Sequence, residues 1–582
     1  MAELFDSSDS VQNFKNHRTP TKNMSETASA QPTTANYGTM EDAHPDTDGN
    51  IEPRGVPDDD QPKRSPFRIY TTFVALCLDL FVAALNQTIV STTIPSITAD
   101  LPGGAAGYTW IGGAYLLANA ASGPIWARGS DIWGRKPAML VALALFAAAT
   151  TFIAARRRRG GLMQLVTITL SDLLSVRRRS LALSALGLVW VVAGTTGPVV
   201  GGALSQYATW RWCFWLSLPV CGVTFLVMAA FLDVHNPRTP LAEGLHAVDW
   251  FGIVSMLAAT LLLLLGLDLG GIVYPWGSPI IICMVVIGAC MVPIFLYVEK
   301  SMAKFPLIHL VMFRDVSNVA TVVVAFTHSI SSFGTEYYLP LYFQAVKQST
   351  PFQSGFLILP LIITCVVVDI LSSAYMFKFG RYRELIWAGT ALLTLGTGLY
   401  IAYDADTSTA AIIGFQIVHG LGMSSLFQTP LMALQSSVTQ ADTATATATM
   451  GFLRNLGMCL STVVGGVVFQ NSMASWRLRL AASGLDEAQL QALSGYEATA
   501  HVNLPQSLTD PVQRQTVIDA FAWSVRNMFI VYTCIAVVGL LASVFIKQRY
   551  MSKEHTETRT GVENLTDQRK AKVMSRVEGL GE

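Results

Sequence analysis

Charged side chains are scarce: Asp, Glu, Lys and Arg make up only 13% of the 582 residues, against roughly a quarter in an ordinary soluble domain. With 51% of residues hydrophobic, most of the chain is built for lipid. Lys+Arg and Asp+Glu both number 39, giving a formal net charge of +0, so no global basic field points to nucleic acid. The first 66 residues lack the apolar run of a signal peptide. They are polar, acidic and rich in Ser, Thr, Asp and Pro, and read as a disordered cytosolic tail. The eight cysteines lie almost wholly inside apolar stretches without metal-ligand spacing, which reads as small core residues and no metal. No Gly-x-x-x-x-Gly-Lys-Ser/Thr phosphate loop occurs, and no soluble stretch is large enough to hold one, so an ATP-driven pump is not expected. Scattered serines and histidines form no catalytic constellation, so neither an enzyme nor a cofactor is expected.

What the sequence does have is apolar runs. A bilayer core of about 30 Å takes roughly 20 residues of helix, and on that rule fourteen spans are expected, near 69–92, 107–127, 137–155, 160–176, 182–205, 212–233, 248–270, 277–298, 317–344, 352–376, 384–404, 410–435, 446–472 and 527–548. Short loops rich in Lys and Arg prefer the cytosol. Arg128, Arg135 and Lys136, then Arg177 to Arg179, Lys300 and Lys304, and Lys378, Arg381 and Arg383 all fall on one side. The opposite loops Asp100 to Gly107, Tyr274 to Ser278 and Asp404 to Ser408 carry none. Both termini are thus expected in the cytosol, with 473–526 as one large external loop. Gly134-Arg135-Lys136 is echoed by Gly380-Arg381-Tyr382-Arg383, which divides the chain into a tail (1–66), a six-helix bundle (67–233), a linker with two extra helices (234–300), a second six-helix bundle (301–548) and a cytosolic tail (549–582). Transporters commonly consist of such halves rocking about a central site.

Three motifs carry chemistry. The first runs Ala127-Arg128-Gly129-Ser130-Asp131-Ile132-Trp133-Gly134-Arg135-Lys136-Pro137, read as a tight helix-to-helix turn. Glycine permits the turn, Asp131 suits the positive end of the following helix, and the cations anchor the cytosolic face. The second is Gly194-Thr195-Thr196-Gly197-Pro198-Val199-Val200-Gly201-Gly202: glycines at i, i+3, i+7 and i+8 bare one helix face for close packing, and Pro198 bends the helix. The third is Leu85-Asn86-Gln87-Thr88-Ile89-Val90-Ser91-Thr92-Thr93-Ile94-Pro95 in the first span. Ionisable groups are costly at a helix centre and usually face a cavity or a partner, which marks Glu336, Asp369, His419 and Arg454.

These strings resemble the fourteen-helix drug:proton antiporter branch of the major facilitator superfamily, fungal efflux-pump type. Trp210-Arg211-Trp212-Cys213-Phe214-Trp215, Tyr274-Pro275-Trp276, Glu336-Tyr337-Tyr338-Leu339-Pro340 and Val467-Val468-Phe469-Gln470-Asn471 extend the likeness from about residue 69 to 548. The resemblance implies an all-α polytopic membrane protein and a proton-coupled antiporter exporting drugs or secondary metabolites. It makes Arg128, Asp131, Gly134, Arg135 and Lys136 a gating latch and Gly194, Gly197, Pro198, Gly201 and Gly202 an antiporter motif. Asn86 replaces the aspartate usual in the first motif; Asp79, seven residues earlier on nearly the same stripe, is the substitute candidate. Proton-coupling candidates are therefore Asp79, Glu336 and Asp369, with Arg454 as ion-pair partner. Helix position suggests Asn86, Gln87, Tyr115, Gln164, Tyr338, His419 and Gln428 as substrate-cavity candidates. The expected partners are a small-molecule substrate, protons and the bilayer. A monomer is expected, in the plasma membrane, with a vacuolar basic amino acid transporter as the alternative.

The fourth span breaks the pattern. Phe152-Ile153-Ala154-Ala155 runs directly into Arg156 to Arg159 and Gly160-Gly161, and 160–176 reaches only about 25 Å at roughly 1.5 Å per residue. The four arginines also oppose the positive-inside trend. A missing stretch of about twenty residues accounts for both anomalies, and an impaired or inactive transporter-like protein is the corresponding alternative.

Overall fold

The computed structural model describes residues 66–100, 125–155, 176–232 apart from 210, and 239–551 apart from 271–273, 304–305, 309, 440–441, 494–497, 499–500 and 503, with the single residues 122, 237 and 566. Tyr115, Gln164, Arg156 to Arg159 and the expected fourth span lie outside them, and Gln87, Pro198, Gly201 and Gly202 are placed on helices without their side chains.

The described residues are almost entirely helical. The long helices are α1 (Pro66–Asp100), α2 (Arg135–Ala155), α3 (Val176–Tyr207), α4 (Ser217–Phe231), α5 (Trp250–Leu269), α6 (Pro279–Ser301), α7 (Val316–Ala345), α8 (Pro351–Phe379), α9 (Arg383–Leu399), α10 (Thr409–Ser437), α11 (Thr443–Ala482) and α12 (Pro511–Ser543). Among the described residues, nine helical stretches have the length and apolar character to cross a bilayer, and Tyr70–Asn86 is a shorter apolar stretch.

Local chemistry sets the helix ends. Thr350 and Gln353 form a reciprocal capping box with Pro351 in the first turn of α8, satisfying donors that have no partner within the helix. Asp249, Asp315, Ser408 and Asp510 each accept one backbone amide at the start of α5, α7, α10 and α12. Inside the helices, hydroxyls that lipid cannot solvate donate to the preceding turn, as Thr321 does to Ser317, Thr327 to Val323 and Ser329 to Ala325.

Helices α7 to α12 pack on one another as a trailing group, α5 and α6 pack together as a middle pair, and α2 packs on α4 in the leading group. The trailing core is aromatic at one end, where Tyr342 stacks on Tyr403 with centroids 4.6 Å apart and Tyr403 on Tyr400 at 4.9 Å. Burial there, with Tyr342 alongside, holds the Tyr403 phenol above its ordinary range. Apolar side chains exposed on α6, such as Ile282, Val286 and Ile287, form the outward surface expected of a helix in lipid.

Three expectations change. The stretch 473–526 is not one loop: α11 continues to Ala482 and α12 begins at Pro511. At 40 and 33 residues, these helices reach about 60 and 50 Å, well past a bilayer core. Leu480, Leu485, Leu490, Leu493 and Leu508 between and beside them join the buried core. The first motif is helical through residues 125–133 and turns on one residue, Gly134, at φ 93°; Asp131 therefore lies at the end of one helix rather than at the start of the next. Finally, Cys283, Cys290 and Cys534 are exposed rather than core residues.

The echo of the first motif has the same geometry, with Gly380 ending α8 at φ 68° before Arg381. Residues 544–551 run beneath this second turn: Arg549 pairs with Asp315 at 2.8 Å, Gln548 accepts from the Tyr382 and Arg383 amides, and Met551 donates to the Gly380 carbonyl. A left-handed backbone costs an L-residue about 1–2 kcal/mol. Gly380→Val is expected to lower the apparent melting temperature in detergent by several degrees. Gly355→Ala, where a methyl group meets nothing within 4 Å, is expected to leave it unchanged.

Candidate functional site

The basic end of the molecule holds a buried charge network. Asp131 bridges Arg135 at 2.7 Å and Arg128 at 3.4 Å, and all three side chains are under one-tenth exposed. Arg135 also donates to the Ser130 hydroxyl, and Arg128 to the Pro306 carbonyl in the segment that leads into α7. Gly134 places Arg135 for this pairing by turning the chain within one residue. Lys136 is half-buried beside it. The charged residues of the first motif thus form one network, and it reaches across to the segment before the trailing group. Ala127 packs with Ala444 and Ala448 of α11 at the same end.

A second contact joins α3 to α8. Ser180 donates to the Ser373 carbonyl at 3.3 Å, Ser184 donates to the Asp369 carbonyl at 3.1 Å and meets the Ser373 hydroxyl, and a Cβ at Gly187 would stand 2.9 Å from the Asp369 carboxyl. Small residues at 180, 184 and 187 recur every three to four positions, so the two backbones approach closely. Arg179, expected in a basic loop, lies instead in the first turns of α3, where it is buried and donates to Gln435 of α10 at 3.2 Å. Gln435 in turn donates to Thr447 of α11 at 2.8 Å. Sequence reading missed Arg179, Ser184, Ser373 and Gln435, although the 180/184/187 spacing was visible.

Within the trailing group, Glu336 of α7 is exposed. Cys365 lies within electrostatic reach of both Glu336 and Asp369, which brings the two acids into one neighbourhood. Arg454 is in electrostatic reach of Asp369 but forms no ion pair with it. Its guanidinium donates to the Phe427 carbonyl at 2.7 Å and stacks over the Phe427 ring at 4.8 Å, which corrects the expected pairing. One Asp369 carboxyl oxygen, Oδ1, is buried without a hydrogen bond.

Several cavity candidates turn inward. His419 is fully buried, its ring nitrogens against the Thr335 and Thr397 hydroxyls at 3.1 and 3.3 Å, so it joins α7, α9 and α10 rather than lining an open space. Tyr338 is buried with its hydroxyl donating to the Thr462 carbonyl at 2.7 Å. Gln428 is buried next to Phe427 on α10. Asn86 donates to Ser217 of α4 at 2.6 Å. Thr72 of α1 donates to the Phe231 carbonyl at the other end of α4, and Asp79 lies within electrostatic reach of Cys221 between those two contacts. Asp79 thus shares the stripe with Asn86, as the seven-residue spacing implies. It is 1% exposed with neither carboxyl oxygen hydrogen-bonded, inside the leading group. In the glycine motif, α3 runs unbroken through residues 194–202. Gly197 is buried, while no described atom lies within 4 Å of a Cβ at Gly194.

Residues 76–462 match the profile of the Major Facilitator Superfamily. The chain is 40% identical to the MFS-type transporter ppz2 of Metarhizium majus over 515 residues, covering 86% of this chain and 88% of that one. It is 38% identical to the efflux pump dotC of Dothistroma septosporum (85% and 87% covered) and 32% identical to the acurin A biosynthesis cluster MFS-type transporter of Aspergillus aculeatus (88% and 94% covered).

Removing one member of a buried charge network strands the others, at about 3–5 kcal/mol. Asp131→Ala is therefore expected to lower the apparent melting temperature of the purified protein markedly. Arg381→Ala, which removes the exposed pair with Glu384 and an exposed contact with Tyr550, is expected to change it far less. Thermal unfolding in one detergent measures both.

Proposed function

The chain belongs to the Major Facilitator Superfamily, and from that premise we propose that it couples export of drugs or secondary metabolites to proton entry by alternating access. The relatives named efflux pumps and the transporter of a biosynthesis cluster support export of small metabolites. Fourteen spans are proposed, with α1 to α4 and the undescribed spans between them as the first six-helix half, α5 and α6 as the extra pair, and α7 to α12 as the second half. The positive-inside trend places the basic end in the cytosol. The plasma membrane is the proposed location, with the protein acting as a monomer.

One observation carries the mechanism: the halves meet at the basic end through the α3–α8 seam, and the Asp369 carboxyl lies in that seam against Gly187. An acid so placed is sealed while the halves touch and reaches cytosolic water when they part. Proton release and substrate pickup then belong to the same opening, which is what antiport requires. Glu336 and Arg454 are proposed to supply opposite charges near the bound molecule, and the Arg128–Asp131–Arg135 latch to hold the cytosolic end shut. Between α2 and α3 only residues 156–175 are available for the fourth span, about 30 Å of helix with nothing left for two turns. Lowered turnover is the corresponding expectation for this chain.

Reconstituted liposomes test the proposal. A pH gradient is expected to drive accumulation of a hydrophobic fluorescent drug, and a protonophore to abolish it. Drive by the gradient on arginine or lysine instead would move the protein to the vacuolar amino acid reading, and binding without flux would make it an inactive relative. Asp369→Asn is expected to cut gradient-driven flux at least about tenfold, the effect of about 1.4 kcal/mol on the driven step, while downhill efflux persists. Glu336→Gln is expected to weaken substrate affinity more than coupling. Retained coupling in Asp369→Asn removes Asp369 as the carrier.

A further inference from the structure

The middle pair α5 and α6 stands outside the two halves, and the transport scheme above leaves it without a task. We infer that this pair holds the basic-end latch in register, with Glu299 as the positioning residue that presents the Pro306 carbonyl to Arg128. The inference rests on the proposal that the latch is a gate between two moving halves.

Glu299 sits in the last turn of α6 and is 4% exposed. Its carboxylate accepts from the Leu307 amide at 3.0 Å and the Ile308 amide at 3.5 Å, so the chain leaving α6 folds back over the helix end. The Leu307 amide and the Pro306 carbonyl belong to one planar peptide, so holding that amide on the carboxylate fixes the carbonyl to which Arg128 donates. Proline at 306 lends the peptide further stiffness. The Arg128 charge also lies within electrostatic reach of Glu299, so the acid acts on the latch through the backbone and through space.

The other end of the pair is tied to the same latch. Before α5, the Thr239 hydroxyl donates to the Ile132 carbonyl at 2.8 Å. Gly244, in the short helix Leu241–Ala247, lies so close beneath the Trp133 indole that any side chain there would collide with it. The chain thus touches the latch helix on entering the pair and again on leaving it. Between these ties, Met256 and Phe295 of the pair and Leu307 of the linker form one buried cluster, against which Ile125 of the leading group and Phe452 of α11 both pack. A rigid body that contacts both groups beside the charge network sets their spacing there.

Cross-linking between the halves tests this without substrate or gradient, so a failed export assay does not obscure it. Cysteines at Ala127 and Ala448, which share one buried cluster, are introduced into the full chain with its native cysteines replaced, and a short bis-maleimide, which adds one thiol at each end, is applied in membrane vesicles. Glu299→Ala is expected to lower the cross-linking rate about tenfold, the scale of one charge-assisted hydrogen bond lost. Glu299→Gln, which keeps one carbonyl acceptor, is expected to recover most of it. A lowered melting temperature with an unchanged cross-linking rate would mean that Glu299 only caps the linker, and the inference falls. If Glu299→Ala does not fold, Gly244→Leu decides from the opposite tie: a similar drop supports the clasp, and an unchanged rate overturns it.

Discussion

Three buried charges at the basic end set the terms for the rest of the molecule. Arg128, Asp131 and Arg135 sit where neither lipid nor packed helices can solvate them, so each must find its counter-charge and its remaining acceptors inside the protein. Arg135 finds the Ser130 hydroxyl, and Arg128 goes further, to a backbone carbonyl contributed by a distant segment. That need binds the leading helices to the linker before α7. An isolated ion pair would be weak support for any architecture; this one matters because its unsatisfied valence can be met only across a boundary between helix groups.

Elsewhere, polar atoms divide into two kinds. Most hydroxyls spend their proton on the carbonyl one turn back, which makes them harmless in an apolar environment. A few groups stay unspent: both carboxyl oxygens of Asp79 and one of Asp369 have no hydrogen bond. In a membrane protein such groups are expensive and mark pathways more often than packing. Their positions differ, however. Asp79 lies between α1 and α4 within one group, whereas Asp369 lies where α3 meets α8, at a contact between two groups.

Much of this was legible in the sequence because it depends on local rules. Apolar runs gave α7 to α10 to within a few residues, and charge in short loops marked the basic end. The Gly134 and Gly380 echo was readable as well, since a one-residue turn needs φ > 0 and little but glycine adopts it. What depended on three dimensions was not readable. His419 and Tyr338 were assigned to a cavity from helix position, but helix position does not say which face a neighbour covers. His419 lies under Thr335 and Thr397, and Tyr338 under α11. Arg454 was expected to seek a carboxylate, yet a carbonyl and an aromatic ring on the adjacent helix lay nearer. The outer extensions of α11 and α12 were masked by their polar composition, which reads as loop until leucines at 480, 485, 490 and 493 are seen to share one core.

The chemistry of the contacts also separates what moves together from what parts. The interior of the trailing group is closed by large rings, Tyr342 on Tyr403, Tyr403 on Tyr400 and Tyr400 against Phe529. Opening such a surface to water forfeits roughly 25 cal/mol for every Å² exposed, so these helices behave as one body. The α3–α8 seam is made instead of serine hydroxyls, a glycine and backbone carbonyls. Each such hydrogen bond is worth only about 0.5–1.5 kcal/mol net, because water replaces it when the surfaces separate. A seam of small polar groups inside a chain that is half hydrophobic is therefore weak by composition. In the proposed transport cycle, the latch and the clasp around it supply the hold on the basic end that such a seam alone would not give.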